Sequence, residues 1–515
     1  MTTPSNEPDT RPNDAPDATA EDDAEQAPGL RESAQSPAVL MRKRIGLFAG
    51  PVLAVVVFFL LPGDLAQPAR FTAAVATVMA LWWMTEAIPL AATALLPLVL
   101  FPMLNVAGMG DAAAPYANPI IFLFMGGFML ALALQRWNLH RRIALATVLL
   151  VGTKPRQLIG GFMIATGFMS MWVSNTATAV MMLPIGMSVL ALTARMSDEK
   201  KVPPKFGIAL MLGIAYSASI GSLGTIIGTP PNALMVGYLQ QAHDIHVGFG
   251  QWMLVGVPMS VVFMAVAWYL LTFVIFKPEI SEIPGGRQLI SDEYKKLGRM
   301  NVGEKLVLAI FVLAAASWIT VPLLWPDTSI EDAVIAMCVA VALFIIPANL
   351  RKGVPLLNWG SAKELPWDIL LLFGGGLALS AQFTETGLSK WVGEQVDGLG
   401  FLPVVVLIAA VALIVLGLTE LTSNTATAAA FLPLIGGVAV GLGLDPMLLV
   451  VPVAIAATCA FMLPVATPPN AIAYSSGYVE ISDMLKAGIW LNVISLVLTT
   501  LTTMTLAVWV FDVVY

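Results

Sequence analysis

The sequence predicts an all-α polytopic membrane protein of about eleven transmembrane helices plus two re-entrant hairpins, arranged as inverted repeats. Three observations carry this reading. Of 515 residues, 58% are hydrophobic and 11% charged, with a mean hydropathy of +0.83, whereas an average soluble domain is roughly 25% charged. Apolar runs near the length of a bilayer crossing follow one another along most of the chain. A polar hexapeptide, Ser-Asn-Thr-Ala-Thr-Ala, occurs twice, from Ser174 and from Ser423, each copy followed at the same spacing by Leu-Pro.

The first element is a tail. Residues 1–40 hold nine Asp or Glu and two Arg, which accounts for the whole formal charge of -7 and leaves the rest of the chain balanced. Rich in Pro, Ala, Asp and Glu, this stretch cannot bury an apolar core and is expected to be a disordered acidic cytoplasmic tail. It lacks the basic start, apolar middle and small-residue cleavage site of a secretory signal. The two cysteines, Cys338 and Cys459, both fall in apolar runs and are too few for a disulfide framework or a zinc site.

Crossings are expected near 45–62, 71–87, 88–105, 118–136, 206–240, 252–276, 303–324, 331–348, 366–384, 448–477 and 488–512. The segments 157–194 and 403–441 do not fit as single spans. Each consists of two apolar arms around Ser-Asn-Thr, the pattern of a helix, a polar break and a second helix returning to the same side. Such irregular backbone is tolerated at membrane depth only where it is buried in protein or lines a cavity. The chain therefore divides into a first half, 41–276, with scaffold helices over 45–136, a hairpin over 157–194 and a broken helix over 206–240. A cytoplasmic interfacial linker follows at 277–302. The second half, 303–515, has scaffold helices over 303–384, a hairpin over 403–441, a broken helix over 448–477 and a last helix over 488–512.

Basic residues orient these spans. With the N-terminus cytoplasmic and the C-terminus on the outer face, Arg70 and Lys390 are the only two of 26 Lys and Arg left outside. The first hairpin then enters from the cytoplasm and the second from the opposite face.

The repeat is larger than the hexapeptide. FLFMGGFMLAL from Phe122 precedes the first hairpin and LLFGGGLAL from Leu371 the second; GTPPNAL from Gly228 and ATPPNAI from Ala466 follow them. Gly127 to Gly375 is 248 residues, Asn175 to Asn424 is 249 and Asn232 to Asn470 is 238. Three landmarks in one order at nearly constant offset mark a duplicated unit, and units that begin on opposite faces are inverted. Inverted repeats with broken helices meeting at the midplane are the architecture of secondary transporters.

Ser-Asn-Thr at a helix break offers hydroxyls and an amide that can cap exposed backbone N–H groups, with the positive end of the helix dipole beyond them. Thr229 and Thr467 suit the cap position, with Pro230 and Pro468 at the first helical position. Four half-helices would converge on one cavity that favours anions. None of the four words contains Arg, Lys, His, Asp or Glu. A dianion desolvated there needs positive charge beyond what dipoles supply, and bound sodium ions, held by carbonyls, hydroxyls and Asn oxygens, would provide it. A single copy of the hexapeptide would be as well explained by close helix packing of small residues; two copies, each paired with a Pro-Pro-Asn break, favour the site.

With both Ser-Asn-Thr words, both Thr-Pro-Pro-Asn words and WWMTEAIP from Trp82 to Pro89, the chain over 45–515 resembles the divalent anion:sodium symporter family. The resemblance implies a homodimer in the lipid bilayer of the cell inner membrane, with a scaffold domain at the dimer contact and a transport domain that moves as an elevator. It implies a first sodium site from Ser170, Ser174, Asn175 and the backbone at Gly228. The second would use backbone near Thr419, Thr422 and Ala466 with the Asn424 side chain. The anion would meet Ser174, Asn175, Thr176, Thr229, Asn424, Thr425, Thr467 and Pro468. Some relatives carry Ser where Thr229 stands, a position that bears on substrate preference.

Sodium-coupled symport of a small dianion, a C4-dicarboxylate such as succinate, malate or fumarate and also citrate, is therefore the expected function. Sodium-independent dicarboxylate exchange and sulfate carriage are the alternatives on the same fold. An intramembrane hydrolase using Ser174 or Ser423 would need a His or Lys base, and the repeated words contain none. Nothing resembles a phosphate-binding loop, so ATP drive is not expected. The cluster from Lys277 to Lys305 suits an interfacial linker rather than a nucleic-acid surface. Glu86 suits a capping or packing role, Glu420 could tune the second hairpin tip or relay a proton, and His243 with His246 suits a solvated loop better than a metal site.

Overall fold

Proline and glycine decide where the long apolar runs bend. The computed structural model describes residues 36–513 apart from 153, 197–202, 281, 283–285, 326–327, 397 and 399. Helices of eight residues or more begin with α1 (Pro37–Leu60), α2 (Gln67–Thr85) and α3 (Leu96–Met103). A first series follows: α4 (Pro119–Arg136), α5 (Leu139–Val151), α6 (Pro155–Ser170), α7 (Asn175–Met196), α8 (Pro204–Ser222), α9 (Pro230–His243) and α10 (Phe249–Tyr269). Between the series lie α11 (Gly286–Lys296), α12 (Val302–Leu324) and α13 (Asp332–Ile345). The second series is α14 (Trp367–Glu385), α15 (Leu388–Gln395), α16 (Val404–Thr419), α17 (Asn424–Gly441), α18 (Met447–Thr458), α19 (Pro468–Ser475) and α20 (Ile481–Thr502).

The two series match helix for helix, α4 to α10 against α14 to α20. Even their ends agree: α10 and α20 both run on through a loosened π-type turn, at Leu270–Ile275 and at Thr503–Ala507.

Nine helices among the described residues are long and apolar enough to cross a membrane. They include α7 and α17, the longer arms of the expected hairpins, whereas two runs expected to be single spans are shorter or broken. Residues 88–105 hold three prolines and form only Leu90–Thr93 and α3. The run 331–348 ends its helix at Ile345, and Pro347–Asn349 then pairs antiparallel with Val354–Pro355. The run 448–477 is α18, a nonhelical stretch and α19, with Pro464 in the gap and Thr467 at its end, where Pro468 and Pro469 open α19.

At the other end, α1 starts at Pro37, so Arg42, Lys43 and Arg44 ride on a helix; the rest of the acidic tail, and Lys200 and Lys201, lie outside the described residues. Glu86 caps α2 in a left-handed conformation, φ 50°, and its half-exposed carboxylate pairs with Arg42 at 2.9 Å.

The centre of the molecule is built from the broken helices. Every residue of α18 is buried, as is nearly all of α8. Glycine permits the closest approach: a Cβ on Gly221 of α8 would overlap the backbone of Gly167 in α6, and one on Gly441 of α17 would overlap Gly393 of α15. The linker helix α11 packs on α5. There Arg142 Nε donates to the Glu304 carboxylate at 2.6 Å, while its terminal nitrogens donate to the carbonyls of Leu297 and Gly298.

Candidate functional site

Each series breaks twice at its polar words. The first break separates α6 from α7 at residues 171–174, the second separates α8 from α9 at 223–229; the corresponding breaks of the second series are 420–423 and 459–467. All four helices that follow start at the words read in the sequence: α7 at Asn175, α17 at Asn424, α9 at Pro230 and α19 at Pro468.

The breaks are held by matched bonds. Ser170 donates its hydroxyl to Asn175 Oδ1 at 2.7 Å and to the Ala218 carbonyl at 2.6 Å. Thr419 donates to Asn424 Oδ1 at 2.8 Å and to the Ala457 carbonyl at 2.7 Å. A hydroxyl has one proton, so each oxygen makes a shared bond between an Asn side chain and a helix-end carbonyl. The result is a cluster of hard oxygens, hydroxyl, amide and carbonyl, at each hairpin tip. Asn175 also donates to Ser222 Oγ at 3.3 Å.

The Pro-Pro-Asn asparagines are matched too. Asn232 Nδ2 donates to the carbonyls of Leu223 and Thr225, at 3.3 and 2.9 Å, and Asn470 Nδ2 donates to those of Ala460 and Leu463, both at 3.1 Å. Each fully buried side chain thus straps the unwound stretch before its own helix.

Capping follows a different pattern from the one expected. Ser174 accepts from the Ala177 amide at 3.3 Å and Thr467 from the Asn470 amide at 3.3 Å. Ser423 and Thr229 sit at cap positions with extended backbone but accept no cap bond from their side chains. The Thr229 hydroxyl faces Thr458 Oγ1 at 3.4 Å instead, a contact between the two series that a local reading of Thr-Pro-Pro-Asn misses.

The two series interlock. The arm α7 packs against α19 of the other series, and α17 packs against α9. Tyr216 of α8 adds a bond from its hydroxyl to the Phe461 carbonyl at 2.8 Å. The candidate positions fall into two layers. Ser170, Thr419, Gly228, Thr229, Ala466 and Thr467 are buried, whereas Ser174, Asn175, Thr422, Asn424 and Thr425 are half-buried, and Thr176 and Pro468 are exposed. The arrangement can offer buried oxygen ligands to small cations beneath an accessible surface of hydroxyls, amides and helix starts.

One group in this region is charged. Glu420, 4% exposed, follows Thr419, and its carboxylate accepts from the amides of Phe461, Met462 and Leu463 and from Asn492 Nδ2. Both of its oxygens are thus occupied by amide donors. Elsewhere, His243 bonds to the Tyr238 hydroxyl at 2.9 Å and the exposed His246 lies beside Asp244. No group of three or more metal-ligating His, Cys, Asp or Glu occurs among the described residues.

The family model described as the sodium:sulfate symporter transmembrane region matches residues 42–513. The sodium-dependent dicarboxylate transporter SdcS of Staphylococcus saprophyticus is 44% identical over 466 residues, covering 89% of this chain and 90% of its own. SdcS of Staphylococcus aureus strain USA300 is 44% identical over 467 residues, with the same coverage of 89% and 90%. Among solved structures, MtrF of Neisseria gonorrhoeae, described as one of a class of antimetabolite efflux pumps, superposes with a TM-score of 0.54 at 13% identity, covering 89% of this chain and 98% of its own. The YdaH transporter of Alcanivorax borkumensis gives a TM-score of 0.54 at 14% identity, covering 92% and 98%. At such identities these two likenesses concern the fold alone.

Proposed function

The chain belongs to the sodium:sulfate symporter family, and from that premise we propose that it is a sodium-coupled symporter of small dianions, with C4-dicarboxylates as substrates. The single observation that carries the coupling is the pair of matched oxygen clusters, Ser170 with Asn175 and Thr419 with Asn424, in polar words that contain no basic side chain. A dicarboxylate brought there loses its hydration, and dipoles return only part of that cost. Sodium ions supply the missing charge, so each ligand binds well only with the other present. That mutual dependence is a coupling free energy, and it is reciprocal.

Ser170, Ser174, Asn175 and the Gly228 carbonyl would hold one sodium ion. Backbone at Thr419, Thr422 and Ala466, with the Asn424 side chain, would hold a second. The carboxylates of the substrate would meet Ser174, Asn175, Thr176, Thr229, Asn424, Thr425, Thr467 and Pro468. Burial of Ser170, Gly228, Thr419 and Ala466, which serve sodium alone, and exposure of Thr176 and Pro468, which serve the anion alone, support this division, although Thr229 and Thr467 of the anion set are buried as well.

The helix–break–helix pairs α6–α7 and α16–α17 would be re-entrant hairpins entering from opposite faces, carried with α8–α9 and α18–α19 by a transport domain. That domain would move as an elevator against scaffold helices that make a homodimer, in the cell inner membrane with the N-terminus cytoplasmic. Uptake of labelled succinate, citrate and sulfate into proteoliposomes, with and without an inward sodium gradient, tests the reading. Succinate accumulation that requires the gradient is expected; uptake indifferent to sodium would leave exchange, and preference for sulfate would replace the substrate.

A further inference from the structure

The second polar break has a device that the first lacks. In the first series the chain leaving α8 closes its own turns: the amides of Leu223 and Gly224 donate to Ile220 and Gly221 carbonyls, at 3.4 and 3.0 Å. In the second series the amides of Phe461, Met462 and Leu463 point instead at Glu420, with distances of 2.7 to 3.2 Å. Three successive amides make an anion-binding concavity, and here the anion is a side chain of the same protein. A fourth donor, Asn492 Nδ2 of α20, completes the cradle at 2.7 Å. The residue that corresponds to Glu420 at the hairpin spacing is Met171, which offers only its carbonyl, to the Thr225 hydroxyl.

Position gives this carboxylate leverage. Glu420 directly follows Thr419, whose hydroxyl joins Asn424 Oδ1 to the Ala457 carbonyl. Its amide partners lie within the unwound stretch that ends at Ala466 and Thr467, and Asn470 holds the carbonyls of that stretch from the other side. The tip of the α16–α17 pair and the break between α18 and α19 are thus fastened through one charged group with neutral partners. A fixed negative charge there also favours a cation over an anion at the nearest oxygen cluster.

We propose that Glu420 is the positioning residue of the second cation site: it sets both the geometry of the unwound stretch 461–463 and the local negative charge that lets sodium bind there. This rests on the sodium-coupled reading above. Replacing it by Gln keeps the shape but puts an amide donor where backbone donors already point, and removes the charge.

Wild type, Glu420→Gln and Asn492→Ala are to be compared in proteoliposomes, by titrating sodium at fixed succinate and succinate at saturating sodium. Sodium-dependent thermal stabilisation of each protein in detergent, without substrate, is read in parallel. Losing a hydrogen-bonded charge predicts a half-saturating sodium concentration raised about tenfold in Glu420→Gln, and losing one donor about threefold in Asn492→Ala, in both readouts. The KM for succinate at saturating sodium should move less than about twofold, since the carboxylate of Glu420 bonds to none of the groups assigned to that ligand. If Glu420→Gln does not fold, Asn492→Ala decides. Variants that keep the wild-type sodium response, including ones that only transport more slowly, overturn the assignment. A wild-type protein indifferent to sodium overturns the coupled reading itself, and this inference with it.

Discussion

Ser170 and Thr419 make the same two bonds in the two halves of the molecule, each sharing its hydroxyl between the Asn that opens the next helix and the carbonyl near the end of the neighbouring broken helix. Removing either hydroxyl leaves a buried carbonyl and an Asn oxygen without their donor, and so loosens the Asn side chain assigned to each sodium site.

Ser170→Ala and Thr419→Val should therefore each raise the sodium concentration for half-maximal succinate uptake, by about three- to tenfold from the loss of one hydrogen-bonding group. Thr419→Ser, which keeps the hydroxyl, should stay near wild type. Sodium titration of uptake in proteoliposomes checks all three. If Thr419→Val matches Thr419→Ser, the hydroxyl has no part in sodium binding.

Backbone contact at glycine gives a second prediction. At Gly221 and Gly441 an added methyl would meet the backbone of Gly167 and Gly393, which cannot swing aside as a side chain can. Gly221→Ala and Gly441→Ala should each cost about 1–3 kcal/mol or more. Gly417, in α16 with nothing within 4 Å of its would-be Cβ, is the control, and Gly417→Ala should stay within about 1 kcal/mol of wild type. Thermal unfolding in detergent separates the two classes.

The buried pair Arg142–Glu304 fastens α5 to the start of α12, with side chains 8% and 6% exposed. Arg142→Met would strand the Glu304 carboxylate with Asn301 as its remaining side-chain donor, at a cost of about 3–5 kcal/mol. The double variant Arg142→Met, Glu304→Leu should recover much of that loss, because no charge is then left buried alone. A double variant no more stable than Arg142→Met would show that the pair's geometry, not its charge balance, is what matters.

What the sequence disclosed was what is local or repeated. Helix class follows from run length and composition, and the two Ser-Asn-Thr words at one spacing from Gly-Gly and Pro-Pro-Asn landmarks located both breaks. The three prolines of 88–105 could have argued against a single span there, but apolarity alone does not register them. Long-range partners were out of reach. Nothing near Ser170 names Ala218, and nothing near Glu420 names Phe461 to Leu463, because the first bond exists only once α6 and α8 lie side by side and the others only once α16 and α18 do. Thr229 shows the same limit: its word predicts a cap, whereas packing between the two series directs its hydroxyl to Thr458.

The linker helix α11 supplies a pH dependence outside the spans. Glu293 accepts from Lys296 and from Arg141, the latter at 2.7 Å, and Arg141 belongs to α5. Lys296 first, then Arg141, holds the Glu293 carboxyl below its ordinary range, against an opposing effect of burial. A depressed carboxylate contributes stability that is fully present above the unfolded value, about 4.3 for Glu, and is lost as pH falls through the folded one. Docking of α11 on α5 should accordingly be tighter in wild type than in Glu293→Gln at pH 7, and the two should converge in the acid range below pH ~4. Lys296 and Arg141 are partly exposed, so screening limits the effect to about two- to fivefold in the local opening constant. Hydrogen exchange of the α11 amides, compared between the two proteins at each pH so that intrinsic exchange cancels, measures it. A wild-type advantage that persists unchanged in acid would mean that the packing of the Glu293 side chain, rather than its charge, holds the linker in place.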